Sequence, residues 1–306
     1  MSGAAPRTTV AVITRNRCAS LLRTLDELAA LPERPPVVVV DNGSTDATVE
    51  AARAHHGGAR VVAAGRNTGA LGRNLAVRHA TTPYVAFSDD DSWWAPGALD
   101  TAADLFDAHP RLGLLAARTL VGPDAAEDPL NRVLGDSPLP PAADLPGRPV
   151  LGFLACAAVA RRRAFLDAGG YHRVLFFGAE ETLLAYDLAA RGWGVTYEPS
   201  VTAHHHPDTG TRPGRTTTQQ RNAVLTAWLR RPLTVALRGT GRLAAAAVRG
   251  ERDAALALSG VLTRLPAALR SRAPLPARVE HAARLLDRPP TTPASDPAPD
   301  PQDQYR

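Results

Sequence analysis

The chain has 306 residues, a formal net charge of +5, 44% hydrophobic and 21% charged residues, which is ordinary for a soluble globular protein of one large domain or a domain with an appendage. Two cysteines, Cys18 and Cys156, are too few for a disulfide framework, and their apolar neighbours predict buried free thiols. The longest apolar run, 150–160, is eleven residues, too short to span a bilayer, and the N-terminus lacks a signal-peptide core, so a cytoplasmic location is the default.

In chain order, "TTVAVIT" (8–14) and "PVVVVD" (36–41) are continuous valine-rich runs, as strands buried on both faces should be. "RVVAA" (60–64) and "YVAFSD" (84–89) read the same way. Helical patterns separate them. Leu21, Leu22, Leu25 and Leu28 share one face; "STDATVEAARAHH" offers Ser44 or Thr45 as N-cap; "GALGRNLAVRHA" places Leu71, Leu75 and Val77 near one side. "SWWAPGALD" predicts a helix beginning near Pro96. Strands alternating with helices imply a parallel α/β sheet.

Residues 122–149 hold seven prolines and five acids with little periodicity, and predict a surface excursion or flap. "VLGFLACAAVARRRAFLDAGGY" reads as a strand, a short helix and a Gly-Gly stop. A helix is expected from about Glu180 to Arg191, then the strands "WGVTYEP" and "SVTAHHH", then several helices over 216–287. The tail from 289 has six prolines in 18 residues and is expected to be disordered.

In parallel sheets, ligands bind beyond the carboxyl ends of the strands. Here those ends read Thr14-Arg15-Asn16, Asp41-Asn42-Gly43-Ser44 and Ser88-Asp89-Asp90-Asp91. Three polar ends predict one crevice. Three consecutive aspartates exceed what a helix cap needs, and hard cations such as Mg²⁺ or Mn²⁺ take carboxylates together with substrate phosphates. Alternation along an extended segment predicts Asp89 and Asp91 facing the crevice together, with Asp90 turned elsewhere. Neither GxxxxGK[ST] nor GxGxxG after the first strand is present. Phosphate charge would fall to the cation and to arginines such as Arg73.

"TVAVITRNRCASLLRTLDEL", "VVVVDNGSTDAT", "GRNTGALGRNLAV", "YVAFSDDD" and "FFGAEETLLAYDLAARGWGVTYEPSVTAHHH" occur in this order. Over about 8–206 the chain resembles glycosyltransferase family 2, inverting enzymes of GT-A fold. The resemblance implies an α/β, Rossmann-like, mostly parallel central sheet flanked by helices, with a C-terminal helical extension. It implies a catalytic domain over 1–210, made of a nucleotide-sugar half (about 1–118), the Pro-rich excursion (122–149) and an acceptor half (about 150–210). A basic helical extension (211–288) and the Pro-rich tail (289–306) follow.

By the same resemblance, Thr14, Arg15 and Asn16 border the nucleotide and Asp41 reads the base. Asn67 and Arg73 contact the base and the diphosphate side. Asp89 lies near the ribose and Asp91 holds the metal, with Asp90 able to replace either. His204 is the histidine near metal and diphosphate. The implied donor is a nucleotide-diphosphate sugar, UDP before dTDP or GDP, and the implied cofactor is Mn²⁺ or Mg²⁺.

Inversion needs a base on the sugar face opposite the diphosphate, hence from another segment. "GAEETLLAYDL" resembles the family's Glu-Asp motif, with Glu181 in the base position and Glu180 as second choice. The plainer reading is a pair of acids favoured by a helix N-terminus. Trp93 and Trp94 offer flat faces to a sugar, and Tyr171 and Arg173 complete an acceptor-side set. The acceptor would be a carbohydrate or a lipid-linked molecule.

Every basic residue is an arginine, and the distribution is uneven. Residues 1–206 carry 19 arginines against 22 acids, whereas 207–288 carry 15 against 5. Arg231, Arg238, Arg242 and Arg249, spaced seven, four and seven, predict one basic helical face, weakened by Gly239 and Gly241. Such a face suits peripheral contact with an anionic membrane through 216–272, with a homodimer contact as the alternative. Nucleic acid is not expected, since no aromatics interleave with the arginines. A nucleotidyltransferase and a non-catalytic sugar-nucleotide-binding protein are the rival functions. The nucleotidyltransferase would need a Gly-rich basic signature where the chain has "TRNRCAS".

Overall fold

A computed structural model describes residues 5–208 and 214–287. The tail expected to be disordered lies outside the described residues. The elements run β1 (Thr8–Thr14), α1 (Cys18–Ala29), β2 (Val37–Asp41), α2 (Thr48–Ala54), β3 (Arg60–Ala63), α3 (Leu71–His79), β4 (Tyr84–Asp89), β5 (Ser92–Trp94), α4 (Ala98–Ala108) and β6 (Leu112–Val121). They continue as β7 (Ala126–Glu127), α5 (Pro129–Gly135), β8 (Arg148–Pro149), β9 (Ala158–Arg161), α6 (Arg162–Ala168), α7 (Glu181–Ala190) and β10 (Gly194–His205). The C-terminal helices are α8 (Arg215–Arg230), α9 (Leu233–Val248), α10 (Arg252–Arg270) and α11 (Ala277–Leu286).

The strands form one sheet in the order β3-β2-β1-β4-β9-β6-β10-β5, with β7 beside β6 and β8 beside β10. β1, β2, β3 and β4 are mutually parallel where they pair, and β9 runs antiparallel to both β4 and β6. All seven residues of β1 are buried, which is why its sequence does not alternate. The register pairs Thr14 with Asp41 and Ile13 with Asp89. Three polar strand ends therefore lie side by side at one edge, as the sequence predicts.

Each face of the sheet carries a core. Leu21, Leu25 and Leu28 of α1 pack with Leu99 and Phe106 of α4 on one face. Phe165 of α6 and Leu184 and Leu188 of α7 pack with Phe87 and Val85 on the other. Each such side chain contributes about 1.5–3 kcal/mol by leaving water. A third core unites Leu175 and Leu183 with Leu225, Ala236, Ala257 and Val261 of the C-terminal helices.

Several local expectations change. Ser44 and Thr45 do not cap α2; Asp46 does the work beside its start, accepting from the Thr48 amide at 3.1 Å. Ser92–Trp94 is a strand paired with β10, and α4 begins only after Gly97, whose φ of 81° a glycine tolerates. The two strands expected over 193–206 are one, β10, with a register shift between Glu198 and Thr202. β3 lies at the sheet edge with its valines half-buried. Cys156 is buried, but Cys18 is only partly so.

The 122–149 stretch is anchored rather than a free flap. Leu134 and Leu139 enter the core. The Asn131 side chain accepts from the Thr119 amide at 2.9 Å and donates to its carbonyl at 2.8 Å. Nor do the four arginines share one helix. Pro232 ends α8, and Arg231 is buried in an ion cluster with Glu280 (2.7 Å) and Asp287 (2.7 Å). α9 runs unbroken through Gly239 and Gly241, and at Gly239 a Cβ would stand 3.4 Å from Val224 of α8.

Arg230 fastens this helical block to the sheet domain. Its guanidinium grips the Asp187 carboxylate of α7 with two nitrogens, Nη2 at 3.0 Å, and its Nη1 donates to the Ser271 carbonyl at 3.1 Å. Both ion-pair partners are buried. Removing one partner of such a pair strands the other charge. We expect Asp187→Ala to lower unfolding stability in urea by about 3–5 kcal/mol, and the joint change Asp187→Leu with Arg230→Met to recover most of that loss.

Candidate active site

The ends of β1, β2 and β4 and the 176–177 loop enclose a crevice of about 340 Å³, lined by Thr14, Arg15, Arg17, Asn42, Asn67 and the three aspartates, among others. The structure thus brings the sequence-predicted polar ends together. Phe176 and Phe177 form the apolar side of this crevice and are part-exposed.

All three aspartates line the crevice, but each is held differently. Asp89 pairs with Arg73 and keeps 27% of its side chain exposed. Asp90 turns inward. Its Oδ2 accepts from Thr14 Oγ1 at 2.8 Å, and its Oδ1 meets Arg17 Nε at 2.7 Å. Its carbonyl accepts from the Ser20 and Thr24 hydroxyls at 2.8 and 2.9 Å. Burial pushes the Asp90 carboxyl up to about 7, although Arg17 opposes this. Asp91 meets Arg17 Nη2 at 3.0 Å and His205 Nε2 at 3.5 Å.

Arg17 thus spans Asp90, Asp91 and Asp208, the last at 2.7 Å. Sequence reasoning missed it, though "TRNR" places it one turn from the strand end. The histidine that faces the aspartates is the neighbour of the one the sequence singles out. His204 stacks on Trp93 at 6.1 Å, and the period of two along β10 turns His205 to Asp91 instead.

Asp41 is drawn away from the crevice. It is buried and accepts from the amides of Gly43 and Ser44, each at 3.0 Å, and from the Ser44 hydroxyl. Its carboxylate braces a turn, and the neighbouring Asn42 takes the wall position. Asn42 Oδ1 accepts from the Thr68 hydroxyl at 2.6 Å while its Nδ2 donates to the Gly69 carbonyl at 3.2 Å, so it ties the 41–44 and 67–70 turns together. Asn16 has φ 53° and receives the Thr45 amide at 2.7 Å. Asn67 lines the wall and accepts from the Gly69 amide at 3.0 Å. Gly69 has φ 60°, and a Cβ there would strike the Phe176 carbonyl, which accepts from the Ala70 amide at 2.7 Å. That contact lays the 176–179 loop on the crevice rim.

Beneath the rim, Arg73 of α3 is 1% exposed. Its guanidinium pairs with Asp89, lies 3.7 Å from Glu180 Oε1 and stands 5.6 Å from the centre of the Tyr171 ring. Glu180 is buried, and one of its oxygens finds no hydrogen-bond donor among the described residues. Burial, with Glu181 beside it, pushes Glu180 up to about 8 against the pull of Arg73. Glu181 is half-buried and also raised, first by burial, while the Ala155 amide donates toward it.

The acceptor-side set fares worse. Trp94 is wholly buried in the core with α1 and α4, and Tyr171 packs against Phe87 and Phe165, so neither presents a face to a sugar. Trp93 is 9% exposed and covered by His204 and His206. Arg173 is exposed and does not line the crevice. The missed residue of most consequence is Asn222 of α8. Fully buried, it donates to the carbonyls of Leu175 (3.1 Å), Phe177 (2.9 Å) and Gly178. It clamps the loop that carries Phe176 and Ala179, both at positive φ (67° and 57°), into the acid pair.

Residues 9–169 match the family described as Glycosyl transferase family 2. The N-acetylglucosaminyl-diphospho-decaprenol L-rhamnosyltransferase of Mycobacterium tuberculosis (strain ATCC 25618 / H37Rv) is 27% identical over 277 residues, covering 76% of this chain and 89% of that protein. The mannosyltransferase PcManGT from Pyrobaculum calidifontis, solved with GDP-Man and Mn²⁺, is similar with a TM-score of 0.57 at 23% identity, covering 93% of this chain and 79% of its own. S. aureus TarS is similar with a TM-score of 0.55 at 20% identity over 73% of this chain, which spans 40% of the TarS chain. The fold is therefore GT-A, and the likeness to PcManGT reaches past residue 206 into the C-terminal helices. The nucleotidyltransferase reading falls away with these matches, as does that of a binding protein without activity. The chain belongs to glycosyl transferase family 2 and is a glycosyltransferase.

Proposed function

We propose that this enzyme moves a sugar, with inversion, from a nucleotide-diphosphate sugar to a hydroxyl of a lipid-linked saccharide at a membrane face. The observation that carries the reading is the row Asp89–Arg73–Glu180, in which one buried guanidinium pairs with a crevice aspartate on one side and stands 3.7 Å from Glu180 on the other. Donor charge belongs on one end of that row and a proton acceptor on the other. The lipid-linked acceptor draws on the M. tuberculosis relative's name and on the apolar outer faces of α9 and α10. There Leu237 is 59% and Leu262 is 55% exposed beside arginines. No helix among the described residues is long and apolar enough to cross a membrane, so contact through 216–272 would be peripheral.

The crevice suits a divalent cation by its donor set. Asp89 and Asp91 supply hard oxygens, and His205 adds an imidazole whose Nδ1 is buried without a partner among the described residues. Those three would hold Mn²⁺ or Mg²⁺, with His205 in place of His204. When bound, the cation offsets charge on the departing diphosphate.

The chain's own groups do the rest. Asn42 and Asn67 offer amide donors and acceptors to the nucleotide, and Phe176 and Phe177 exclude water from the sugar side. The acceptor oxygen bonds to the anomeric carbon as the carbon–oxygen bond to diphosphate breaks. The acceptor's proton passes to Glu181. Glu180, turned to Arg73, keeps that guanidinium aligned, while burial raises the proton affinity of Glu181. UDP is the preferred nucleotide, with dTDP and GDP as the alternatives.

Asp91→Asn should fold with an unchanged thermal midpoint, lose Mn²⁺-dependent donor binding by at least about tenfold in calorimetry and abolish transfer; full activity would remove the metal assignment. Glu181→Gln should keep donor affinity and lose about 10²–10⁴-fold in turnover. Retained turnover with weakened donor binding would end its role as base. The raised acid pair also fixes a pH dependence. A base works deprotonated, and burial raises Glu181, so turnover should still be climbing with pH above the ordinary carboxylate range instead of levelling within it.

A further inference from the structure

A second and larger cavity, of about 1000 Å³, lies between α7, α8, α9 and the start of α10. Its floor is apolar, with Val224, Ala227, Leu243 and Ala246 all buried. Its wall carries the four arginines that the sequence singles out, Arg231 from the turn before α9, Arg238 and Arg242 from α9 itself and Arg249 from its C-terminal cap. Two are neutralised in place: Arg231 by Glu280 and Asp287, and Arg249 by Glu251 at 2.9 Å. Arg238 and Arg242, one turn apart on α9, pair with no acid among the described residues. Two uncompensated guanidiniums above a hydrocarbon floor match an amphiphile with a multiply charged anionic head.

The cavity also has a defined relation to the chemistry. Phe176 and Phe177 line the donor crevice, whereas Ala179 and Thr182 line the arginine cavity. The acids Glu180 and Glu181 lie between Ala179 and Thr182 in the chain, three to five residues after Phe176 and Phe177. One stretch, 176–182, therefore borders both cavities, and the acid pair sits in it flanked by residues of the arginine cavity. Outside the cavity, α9 continues as an exposed apolar face, with Leu233 at 50% and Val248 at 89% exposure. A lipid chain leaving the cavity would meet that face and then the bilayer.

We propose that this cavity is the acceptor subsite, and that Arg238 and Arg242 bind the diphosphate of a lipid-diphosphate-linked acceptor whose saccharide extends past Thr182 toward Glu181. The assignment rests on the lipid-linked reading above and locates it at particular side chains. It also separates recognition of the lipid head from recognition of the nucleotide diphosphate, which belongs to the crevice.

Farnesyl diphosphate is a suitable probe, titrated into the full chain by calorimetry with EDTA present so that the cation-dependent crevice is silent. We expect it to bind at least about tenfold more tightly than either farnesol or pyrophosphate. The double variant Arg238→Gln/Arg242→Gln, with an unchanged thermal midpoint, should lose at least about tenfold in that affinity, since two charge-assisted contacts go. Undiminished affinity in the double variant overturns the proposal, as does the absence of binding to the unaltered chain. So does a double variant that loses only its adhesion to phosphatidylglycerol vesicles while holding farnesyl diphosphate as before, because the arginines would then serve the bilayer surface. Binding of UDP-sugars with Mn²⁺ to the unaltered chain tests the glycosyltransferase donor reading separately.

Discussion

A guanidinium with almost no contact with water is costly unless its charge is answered, and the catalytic half of this protein is arranged around answering one. Arg73 sits at 1% exposure with Asp89 on one side, Glu180 on the other and the Tyr171 ring against it. Each partner comes from a different part of the chain: the end of β4, the start of α7 and the segment after α6. Desolvating a lone charge costs several kcal/mol, so a structure that splays these segments apart is strongly disfavoured. The same arrangement sets the chemistry. Arg73 holds Asp89 at the crevice edge, yet burial still leaves Glu180 short of compensation, and the pair of glutamates retains protons well above the ordinary range. Electrostatic order in the core and proton affinity at the site are one property.

A second guanidinium plays the complementary part at the surface. Arg17 meets Asp90, Asp91 and Asp208 where carboxylates would otherwise repel one another across the crevice. Among the described residues, the one group of histidine, cysteine and acidic donors drawn within 4.8 Å is Asp26, His55 and His56, away from the crevice on α1 and beyond α2. The aspartate triplet is not gathered so tightly. Its oxygens are parted between two arginines and a hydroxyl, and gathering them around a cation requires Arg17 to release Asp91.

The sequence made some of this legible for clear physical reasons. A strand buried on both faces has to be apolar throughout, so β1, β2 and β4 announce themselves, and parallel order then forces their polar ends into a row. Three acids at one such end are hard to explain by capping alone. What stayed hidden depends on which way a side chain turns. The choice between His204 and His205 is set by the pairing of β10 with β5, and two neighbouring histidines cannot reveal it. Asp41 looks like a reader of ligand, and the sequence does not show that its carboxylate also braces its own turn. Trp93 and Trp94 are flat faces in sequence and core in space. Spacing placed four arginines on one helix, whereas Pro232 divides them and the fold reunites them around a cavity. The 122–149 stretch reads as loop because its few apolar residues, Leu134 and Leu139 among them, follow no period, although they reach the core.

Asn222 lies 41 positions after Glu181, in a segment that the motifs do not reach, yet it holds three carbonyls of the loop leading into the acid pair. Donor half and helical block are consequently not interchangeable modules. A chimera that exchanges the C-terminal helices to alter acceptor choice inherits a different clasp on this loop, and one that keeps the native clasp must keep α8. The point past which the helical block could be exchanged without loosening this loop is Pro232, where α8 has ended.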